Sequence, residues 1–504
     1  MKYAILFQIM LVSLSLAGWD RNYGTLERSD IGYSVSSGNN CYYVEGNLTI
    51  DTSTCTHFVA KFNIDGDLLW SSRLYGDHIN GRFGSIVYNN STNRFVTTFT
   101  SDNRSGSSQT RFYVLECDSS GGFIWEKYCG LDSINYAKGI NHSSDGGFVV
   151  CGQGLLYNLW PSSISNVSKA YVAKLSEDGG LIWQNGYGER SDTCGYVVFN
   201  IKSVTNDEFG GYICAGYCWD WPERNIDVYV LRIREDGSLL WDRLYGTPLY
   251  PDWGWDICET PEGDFIVTGQ TRSYGPAIGD LYDLYLFKIN PTGDVIWERN
   301  YGGFYDEEGR VILPTRDGNF MVAGVTMSFG EGNSDGWLLK INTDGDTLWT
   351  KTYGGRGIDY FMDMDTTCDG GFIITGDKVV DGTDLWLLKV DSLGEVDWVQ
   401  EVNSKPQQIS IDCYPNPFNS SCAITIPDGA EIEIYDLRGN VICHPPVSGK
   451  AGAIPINKGD SEIVAPLSRG IVWTPDASIS SGVYLVKATM KNGATTTKRI
   501  VYLR

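Results

Sequence analysis

The sequence has few residues that suit a metal centre. Its four histidines lie far apart, and its 13 cysteines contain no Cys-x-x-Cys pair. Structural zinc sites use closely spaced His and Cys ligands, so we expect no metal and no other cofactor. The Asp-rich turns at 63–67 and 342–346 lack the Glu that calcium loops of the EF type carry at their twelfth position, which indicates hairpin turns.

The sequence also lacks clusters of basic residues. Its formal net charge is -23. Nucleic acids bind to clustered positive charge that replaces the phosphate counterions, so a nucleic-acid partner is not expected. An acidic surface of this kind suits a soluble exported protein.

Long apolar runs are absent after the N-terminus. Lys2 precedes the apolar stretch Ala4 to Leu16, and Ser15 and Ala17 are small residues at the expected positions before a cleavage site. This pattern predicts a signal peptide over 1–17, too short for a membrane-spanning helix, with a buried N-terminal strand as the alternative. We therefore expect a secreted or outer cell-surface protein with no transmembrane segment once the signal is removed.

Export would place the cysteines where disulfides persist. Their odd number leaves at least one unpaired. Cys413 and Cys422 bracket a short loop and are the best candidate pair, whereas the other cysteines have the setting of buried apolar residues in strands.

What the sequence does contain is glycine and tyrosine: 59 and 30 residues among 504. This composition favours short strands joined by tight turns, and the length indicates more than one domain. The predicted fold class is therefore all-β.

An internal repeat organises most of the chain. Each unit has a Gly/Asp turn before an apolar strand, a loop of variable length, a second strand, another Asp-Gly-type turn, and a Trp strand commonly followed by Tyr-Gly. The Trp residues recur at nearly even spacing and bound seven units: Trp19, Trp70, Trp125, Trp183, Trp241, Trp297, Trp349 and Trp398.

Four strand signals in each of seven units predict a seven-bladed β-propeller over 18–402, since radial packing buries both faces of each sheet. The segment Trp19 to Gly24 has a Trp strand without a unit of its own, and we expect it to close the ring beside the last blade. A linear β-solenoid is the alternative, although such folds normally use shorter repeats and capping elements.

The repeat resembles bacterial seven-bladed propeller repeats with an Asp-x-Trp/Tyr strand, an Asp-Gly turn and a Tyr-Gly-Gly signature. The resemblance covers the chain from Trp19 to Trp398 and is strongest from Asp283 to Gly376. The first two units depart from it, because Asn39 to Tyr42 and Asn93 to Phe95 replace the Asp-Gly turn.

After a linker at 403–411, residues 412–504 show a different strand pattern that predicts a small β-sandwich. The motif Tyr414, Pro415, Asn416, Pro417 and Phe418 resembles the opening of type IX secretion sorting domains and of related immunoglobulin-like domains. The resemblance implies that the type IX secretion machinery is a partner and that the domain directs secretion or attachment. A structural spacer is the alternative.

Charged residues recur beside the strand before each Trp strand. We interpret the acids of this series as hydrogen-bond acceptors in turns or between blades, and the cations as solvated flanking residues. The acids are Asp227, Asp283, Asp335 and Asp384, and the cations are Lys61, Lys174, Arg232, Lys288, Lys340 and Lys389.

Five aromatic residues are the candidate ligand-binding residues. Trp219 and Trp221 belong to an insert between strands, and Tyr250, Trp253 and Trp255 begin the next unit. Blade adjacency would bring the two groups together, where aromatic faces with polar neighbours suit sugar rings or a peptide. The alternative is that these rings cover blade edges.

The predicted function is a non-enzymatic surface or extracellular binding protein, with the loop face of the propeller contacting a glycan or protein. A secreted carbohydrate-active hydrolase or lyase is the alternative, since glycoside hydrolases use paired carboxylates. A purely structural envelope component is a third possibility. No catalytic residue stands out, but these acids were considered for a catalytic pair: Asp306, Glu307, Glu308, Asp359, Asp363 and Asp365.

Overall fold

Every regular element of the described chain is a β-strand. The computed structural model describes residues 18–23, 30–51, 54–73, 84–102, 110–131, 134–156, 167–188, 197–208, 210–220, 225–274, 281–379, 383–396, 412–414, 422–427, 431–436, 441–443, 468–473, 475, 479–489 and 495–502. The chain divides into two compact units, Met1–Trp398 and Val399–Arg504, called the N-terminal and C-terminal units below.

The short strands of the N-terminal unit range from fully buried, as in Phe320–Thr326, to largely exposed, as in Val295–Tyr301. In chain order they are β1 (Trp19–Tyr23), β2 (Asp30–Gly38), β3 (Cys41–Asp51), β4 (Thr54–Asn63), β5 (Leu68–Arg73), β6 (Ser85–Asn89), β7 (Arg94–Asp102), β8 (Thr110–Asp118), β9 (Phe123–Cys129), β10 (Ile134–His142), β11 (Phe148–Leu156), β12 (Val167–Leu175), β13 (Leu181–Tyr187), β14 (Val197–Asp207), β15 (Gly211–Asp220), β16 (Asn225–Arg234), β17 (Leu239–Tyr245), β18 (Asp252–Glu259), β19 (Phe265–Thr271), β20 (Asp283–Ile289), β21 (Val295–Tyr301), β22 (Glu307–Pro314), β23 (Phe320–Thr326), β24 (Asp335–Ile341), β25 (Thr347–Tyr353), β26 (Asp359–Thr366), β27 (Phe372–Val379) and β28 (Thr383–Val390).

From β2 to β25, each successive group of four strands forms an antiparallel meander, called a four-strand unit below. The groups are β2–β5, β6–β9, β10–β13, β14–β17, β18–β21 and β22–β25. The three groups within β6–β17 are additionally linked by single parallel residue pairs, Thr110 with Ile134 and Ser168 with Val198. A single residue pair does not form a continuous strand pairing, so these groups are three separate four-strand units. Four-stranded sheets in this order fit a propeller.

The last four-strand unit takes its outer strand from the N-terminus. Strands β26, β27 and β28 are joined by β1, and Trp19 pairs with Lys389 as Trp349 pairs with Lys340 in the preceding unit. The prediction that the Trp19 segment lies beside the last unit is therefore confirmed for Trp19–Tyr23. Trp398 and Gly24 lie outside the described residues.

The first strands of the four-strand units contact one another in a series that returns to its start. Strand β2 contacts β6, and the series continues through β10, β14, β18, β22 and β26 back to β2. The space between these first strands holds the cavity described below.

The repeated Trp and Tyr join each unit to the next one. The Trp297 ring lies against Gly345 in the turn of the following unit, its Nε1 donates to the Thr343 carbonyl at 3.1 Å, and Tyr301 donates to the Gly345 carbonyl. Gly345 has φ +83°, and a Cβ there would lie 3.2 Å from the Trp297 ring. Positive φ and close approach together explain the Asp-Gly turn.

The same contacts occur between β1 and the first four-strand unit. Trp19 Nε1 donates to the Ile64 carbonyl at 2.7 Å, and Tyr23 donates to the Gly66 carbonyl. Strand β1 therefore supplies both the fourth strand of the last unit and the contacts that bind it to the first.

The prediction that the recurring cations are solvated flanking residues is wrong. Lys389 is fully buried and its Nζ lies 2.6 Å from Asp369, in the turn before the second strand of its own unit. The other buried cations with such an acidic partner are Lys174 with Asp145, Arg232 with Asp207, Lys288 with Asp264, and Lys340 with Asp317. Burial is tolerated because each cation has an acidic partner.

The C-terminal unit contains two sheets. Strands β29 (Asp412–Tyr414), β30 (Cys422–Pro427) and β33 (Ser468–Trp473) form one in that order. The other has the order β32 (Val441–Cys443), β31 (Glu431–Asp436), β34 (Gly482–Thr489), β35 (Thr495–Tyr502). Buried residues of both sheets share one core, including Ile424, Ile434, Val486 and Ile500.

The cysteines of the N-terminal unit are mostly core residues. Cys41, Cys117, Cys129, Cys151, Cys214 and Cys258 are buried free thiols, as predicted, whereas Cys368 is exposed. Strands β29 and β30, which carry Cys413 and Cys422, are paired, but the Cys413 side chain lies outside the described residues, so the disulfide stays a prediction. In the described part of the chain, no helix has the length and apolar character needed to cross a membrane.

Candidate functional site

Six of the seven first strands have a β-bulge, which inserts one extra residue and re-aims its side chain. In β18 the register shifts between Gly254 and Asp256, so Trp255 is the extra residue. The corresponding residues of five other first strands are Tyr33, Lys138, Lys202, Arg310 and Met362.

All six bulge residues line a cavity of about 650 Å³, called the central cavity below. Its lining extends from the bulges along the first strands to the turns that follow them, where Asn39, Asn90 and Arg316 contribute. The volume lies within the usual range of about 300–1,000 Å³ for small-molecule sites.

Aromatic and cationic side chains meet at the bulge of β18. The Trp255 ring lies 4.6 Å from Lys202 Nζ and 4.9 Å from the Arg310 guanidinium carbon, measured to the ring centroid. Trp253 is parallel to Trp255 with ring centroids 6.0 Å apart, and Tyr217 contacts Trp253 edge-on at 4.4 Å. These five residues are called the channel cluster below.

The electrostatics of the channel cluster are unusual for its lysine. Loss of water around Lys202, followed by the repulsion of Arg310, lowers the pKa of Lys202 to about 7, while Glu308 acts in the opposite direction. Glu308 also pairs with Arg310, with Oε1 at 2.8 Å from Nε and Oε2 at 2.9 Å from Nη2. Lysine with such a pKa in a cavity is a marker of functional sites.

Two acids considered for catalysis, Asp363 and Asp365, join neighbouring units instead. Both lie in β26 rather than in a loop. One Asp363 oxygen accepts from the Ser34 hydroxyl at 2.6 Å and from the Val35 amide at 2.9 Å. Asp365 accepts from the Ser37 amide at 2.7 Å. Burial raises the pKa of Asp363 to about 7 and that of Asp365 to about 6.

The other acids considered for catalysis also have hydrogen-bonded roles. Asp306 accepts from the Tyr282 amide at 2.7 Å, and Asp359 accepts from the Gly355 amide at 2.7 Å. Glu307 is buried and accepts from the Gly303 amide at 3.0 Å. These contacts shape the segments that lead from one unit to the next. The recurring Asp283 is also an acceptor, but within its own unit, from Asn300 at 3.1 Å.

The predicted ligand-binding residues are only partly brought together. Trp253 and Trp255 stack in β18, and Tyr250 lies just before that strand in a bridge with Thr247. Trp219 lies in strand β15 rather than in a loop. Trp221 lies outside the described residues. Ligand binding by these five residues stays a prediction.

Sequence reasoning missed Tyr217, Lys202 and Arg310. A signal for the two cations was present, because five of the six bulge residues precede a glycine of the second strand by the same interval. The pairs with this spacing are Lys138 and Gly152, Lys202 and Gly216, Trp255 and Gly269, Arg310 and Gly324, and Met362 and Gly376. Aligning the units on that glycine would have placed Lys202 and Arg310 level with Trp255.

The two remaining predicted sites concern sorting and metals. Tyr414 ends β29, while Pro415, Asn416, Pro417 and Phe418 lie outside the described residues, so the sorting motif stays a prediction. Among the described residues, no group of three or more His, Cys, Asp or Glu side chains is arranged to hold a metal ion.

No family model and no curated protein matches this chain. Solved structures with a similar fold include puromycin hydrolase, with 14% identity and a TM-score of 0.45 over 79% of this chain and 58% of that one. The chain thus spans less than two thirds of that protein.

Two further similar structures have 9% identity and cover 73% of this chain. They are the β-propeller domain of the Trilobed protease from Pyrococcus furiosus, with a TM-score of 0.41 over 97% of that chain, and polysaccharide lyase Uly1, with a TM-score of 0.45 over 91% of that chain. These similarities assign no activity to the present chain.

Proposed function

We propose that the N-terminal unit is a seven-bladed β-propeller. Six four-strand units and the sheet completed by β1 supply the blades, and their first strands contact in a series that ends where it began. An open solenoid would leave its first and last repeats apart.

We also propose that the C-terminal unit is a β-sandwich with a sorting role. The common core of its two sheets supports the sandwich. The role in export follows from the sequence resemblance of residues 412–504, together with the predicted signal peptide over 1–17. The expected partner is the type IX secretion machinery, and the expected location is the outer cell surface or the medium.

The function we propose is non-enzymatic binding of a glycan by the exported propeller. The observation that carries this proposal is the stack of Trp253 on Trp255, with Tyr217 edge-on to the outer ring. Flat aromatic faces stack on the apolar faces of sugar rings, and the neighbouring cations can fix the orientation of a ligand. A protein ligand is the alternative occupant.

A glycan array with the full protein tests this binding. We expect Trp253→Ala to lower affinity for any bound glycan by about 10-fold or more, whereas Trp253→Phe retains a ring and most of the affinity. Thermal melting of both variants controls for folding. Unchanged binding in both Trp253→Ala and Trp255→Ala would remove the proposed site.

Deletion of residues 412–504 tests the sorting role. We expect a folded propeller that remains inside the envelope, detected by cell fractionation and protease accessibility. As a control, substitution of the exposed Lys498 by Ala in the intact domain should leave export unchanged. Normal surface appearance of the truncated protein would reject the sorting role.

A further inference from the structure

We propose that the central cavity binds a small carboxylate-bearing molecule, with its acid group near Lys202 and Arg310 and its body against Trp255. This goes beyond the proposed glycan contact at Trp253, because Trp253 is outside the cavity lining while Trp255 is part of it. The proposal concerns a separate ligand that approaches Trp255 from the side of the cavity.

The first argument is the approach of two cations to one ring. Lys202 and Arg310 lie 4.6 Å and 4.9 Å from the Trp255 centroid. Their mutual repulsion helps to lower the pKa of Lys202. Glu308 pairs directly with Arg310 and balances one positive charge. A bound anion would offset the repulsion between Lys202 and Arg310, which favours a negatively charged ligand at this position.

The second argument is the composition of the cavity wall. Four cations line it: Lys138, Lys202, Arg310 and Arg316. Three carboxyl groups also line it, but each accepts a hydrogen bond from a backbone amide of a neighbouring unit. The pairs are Asp256 with Ile312 at 2.9 Å, Asp363 with Val35 at 2.9 Å, and Asp365 with Ser37 at 2.7 Å. The acids thus serve contacts between units, whereas Lys202 and Arg310 both lie against the Trp255 ring, and this local pair of cations favours an incoming anion.

The chemistry of the ligand follows from the two kinds of contact. A carboxylate suits the ammonium and guanidinium groups, and a compact ring or chain suits the Trp255 face. Free organic acids and acidic sugars share this chemistry. Acetate and glucuronate separate the two sources, because only glucuronate has a ring to place on Trp255, and glucose is the matched neutral sugar.

Isothermal titration calorimetry of the full protein at pH 6.5 tests the proposal. We expect glucuronate to bind at least about 10-fold more tightly than glucose, and Lys202→Met to lower its affinity by about 10-fold. Lys351→Met, on outer strand β25, is the matched control and should bind normally. Stronger binding of glucuronate than of acetate identifies an acidic sugar and supports both contacts. Equal binding identifies a simple carboxylate, which supports the contact with Lys202 and overturns the contact with Trp255.

The pH dependence provides a second readout that does not require loss of the side chain. Protonated Lys202 binds the anion, so affinity should fall by up to about 10-fold per pH unit as pH rises above 7. The charged and titratable groups around this lysine are Arg310, Glu308, Cys151, Lys138, Asp256, Asp363, Asp365, His142 and Arg316. Deprotonation of Asp363 acts in the same direction, and Lys202→Arg separates the two effects because arginine stays charged.

Lys202→Arg should therefore bind glucuronate at pH 8.5 more tightly than the unchanged protein does. Equal affinity for glucuronate and glucose overturns the proposal, as does unchanged glucuronate binding by Lys202→Met. If Lys202→Met does not fold, an unaltered pH profile in Lys202→Arg overturns it. If Trp253→Ala loses glycan binding but retains glucuronate binding, the cavity proposal is supported independently of the glycan site. Failure of one proposal can therefore be distinguished from failure of the other.

Discussion

The first two four-strand units and the last three use different side chains for the same contacts. In the last three, a lysine at the end of the third strand pairs with an aspartate in the preceding turn, as Lys389 does with Asp369. In the first unit, Lys61 instead donates to the Ser119 carbonyl and lies 5.1 Å from the Tyr43 ring. In the second unit the charges are exchanged, with Glu116 on the third strand and Arg94 at the start of the second strand, 3.5 Å apart.

The contacts between first strands show the same contrast. Asp363 and Asp256 use carboxyl groups to accept backbone amides of the following unit. From the first unit to the second, serine hydroxyls take this role, since Ser34 accepts from the Ile86 amide at 3.1 Å and Ser36 from the Tyr88 amide at 3.0 Å. Position in the unit, rather than residue type, determines the contact. This explains why the first two units depart from the sequence signature of the repeat although their strands make the same contacts.

The largest expected effect comes from replacing the lysine of the third strand, which we compare between the last unit and the first. Lys389→Met removes a fully buried ammonium group and leaves Asp369, whose side chain is 24% exposed, without its partner. Because water reaches Asp369, the expected destabilisation of about 2–3 kcal/mol is smaller than that for a fully buried pair. Lys61→Met removes one carbonyl contact and should cost about 1 kcal/mol or less. Urea denaturation of both variants measures the difference. Equal losses of unfolding free energy would show that the Lys389–Asp369 pair stabilises the protein no more than the Lys61 contact does.

Restoring the usual charge order in the second unit should give an intermediate effect. Glu116→Lys places a second cation beside Arg94 at a buried position, with an expected loss of about 2 kcal/mol. Adding Arg94→Asp should recover at least half of that loss, because the pair then has the order seen in the later units. A double-mutant cycle on unfolding free energies measures the coupling. Strictly additive changes would argue against an interaction between these two side chains.

The smallest expected effect concerns the carboxyl contact between the last unit and the first. Burial raises the pKa of Asp363 to about 7, above its unfolded value of 3.8. The folded state therefore favours the protonated acid, and its contribution to stability is lost as pH rises through this range. One pKa unit corresponds to about 1.4 kcal/mol, so the expected loss between pH 6 and 8 is about 1 kcal/mol.

Asp363→Asn should remove the contribution of this acid from the pH profile, because an amide does not titrate, while Lys202 and Asp365 still titrate in both proteins. Melting temperatures measured at pH 6, 7 and 8 provide the comparison. Asp344→Asn, in an exposed turn, should retain the slope of the unchanged protein. If the melting temperature of Asp363→Asn changes with pH as much as that of the unchanged protein does, the pH dependence belongs to other groups.

Much of the fold was predictable because its contacts are local or periodic. The Trp spacing predicted the four-strand units, and the unmatched Trp19 segment predicted the pairing of β1 with β28. The burial of the lysines was not predictable from one unit, since Lys389 ends one strand, Asp369 precedes another, and the two meet only because those strands pair. Periodicity alone does not reveal such a partner.

The candidate site was less predictable than the fold. Trp253 and Trp255 were identified as aromatic residues in excess of the repeat, but Tyr217, Lys202 and Arg310 were not. Lys202 and Arg310 belong to β14 and β22, and only the packing of these first strands beside β18 brings them to Trp255. Tyr217 belongs to β15, whose packing against β18 brings it to Trp253. The sequence also placed Asp363 and Asp365 among possible catalytic acids, whereas their amide partners lie in β2, in the first unit of the repeat.

The amino-acid sequence by itself determined the strand class, the turn positions and the period of the repeat, because these depend on residues a few positions apart in the chain. Tertiary structure decided which charges are paired and which side chains line the central cavity. The physical reason is that an ion pair or a cation beside a ring acts only at short range, and the residues that meet at Trp255 come from strands of three different units.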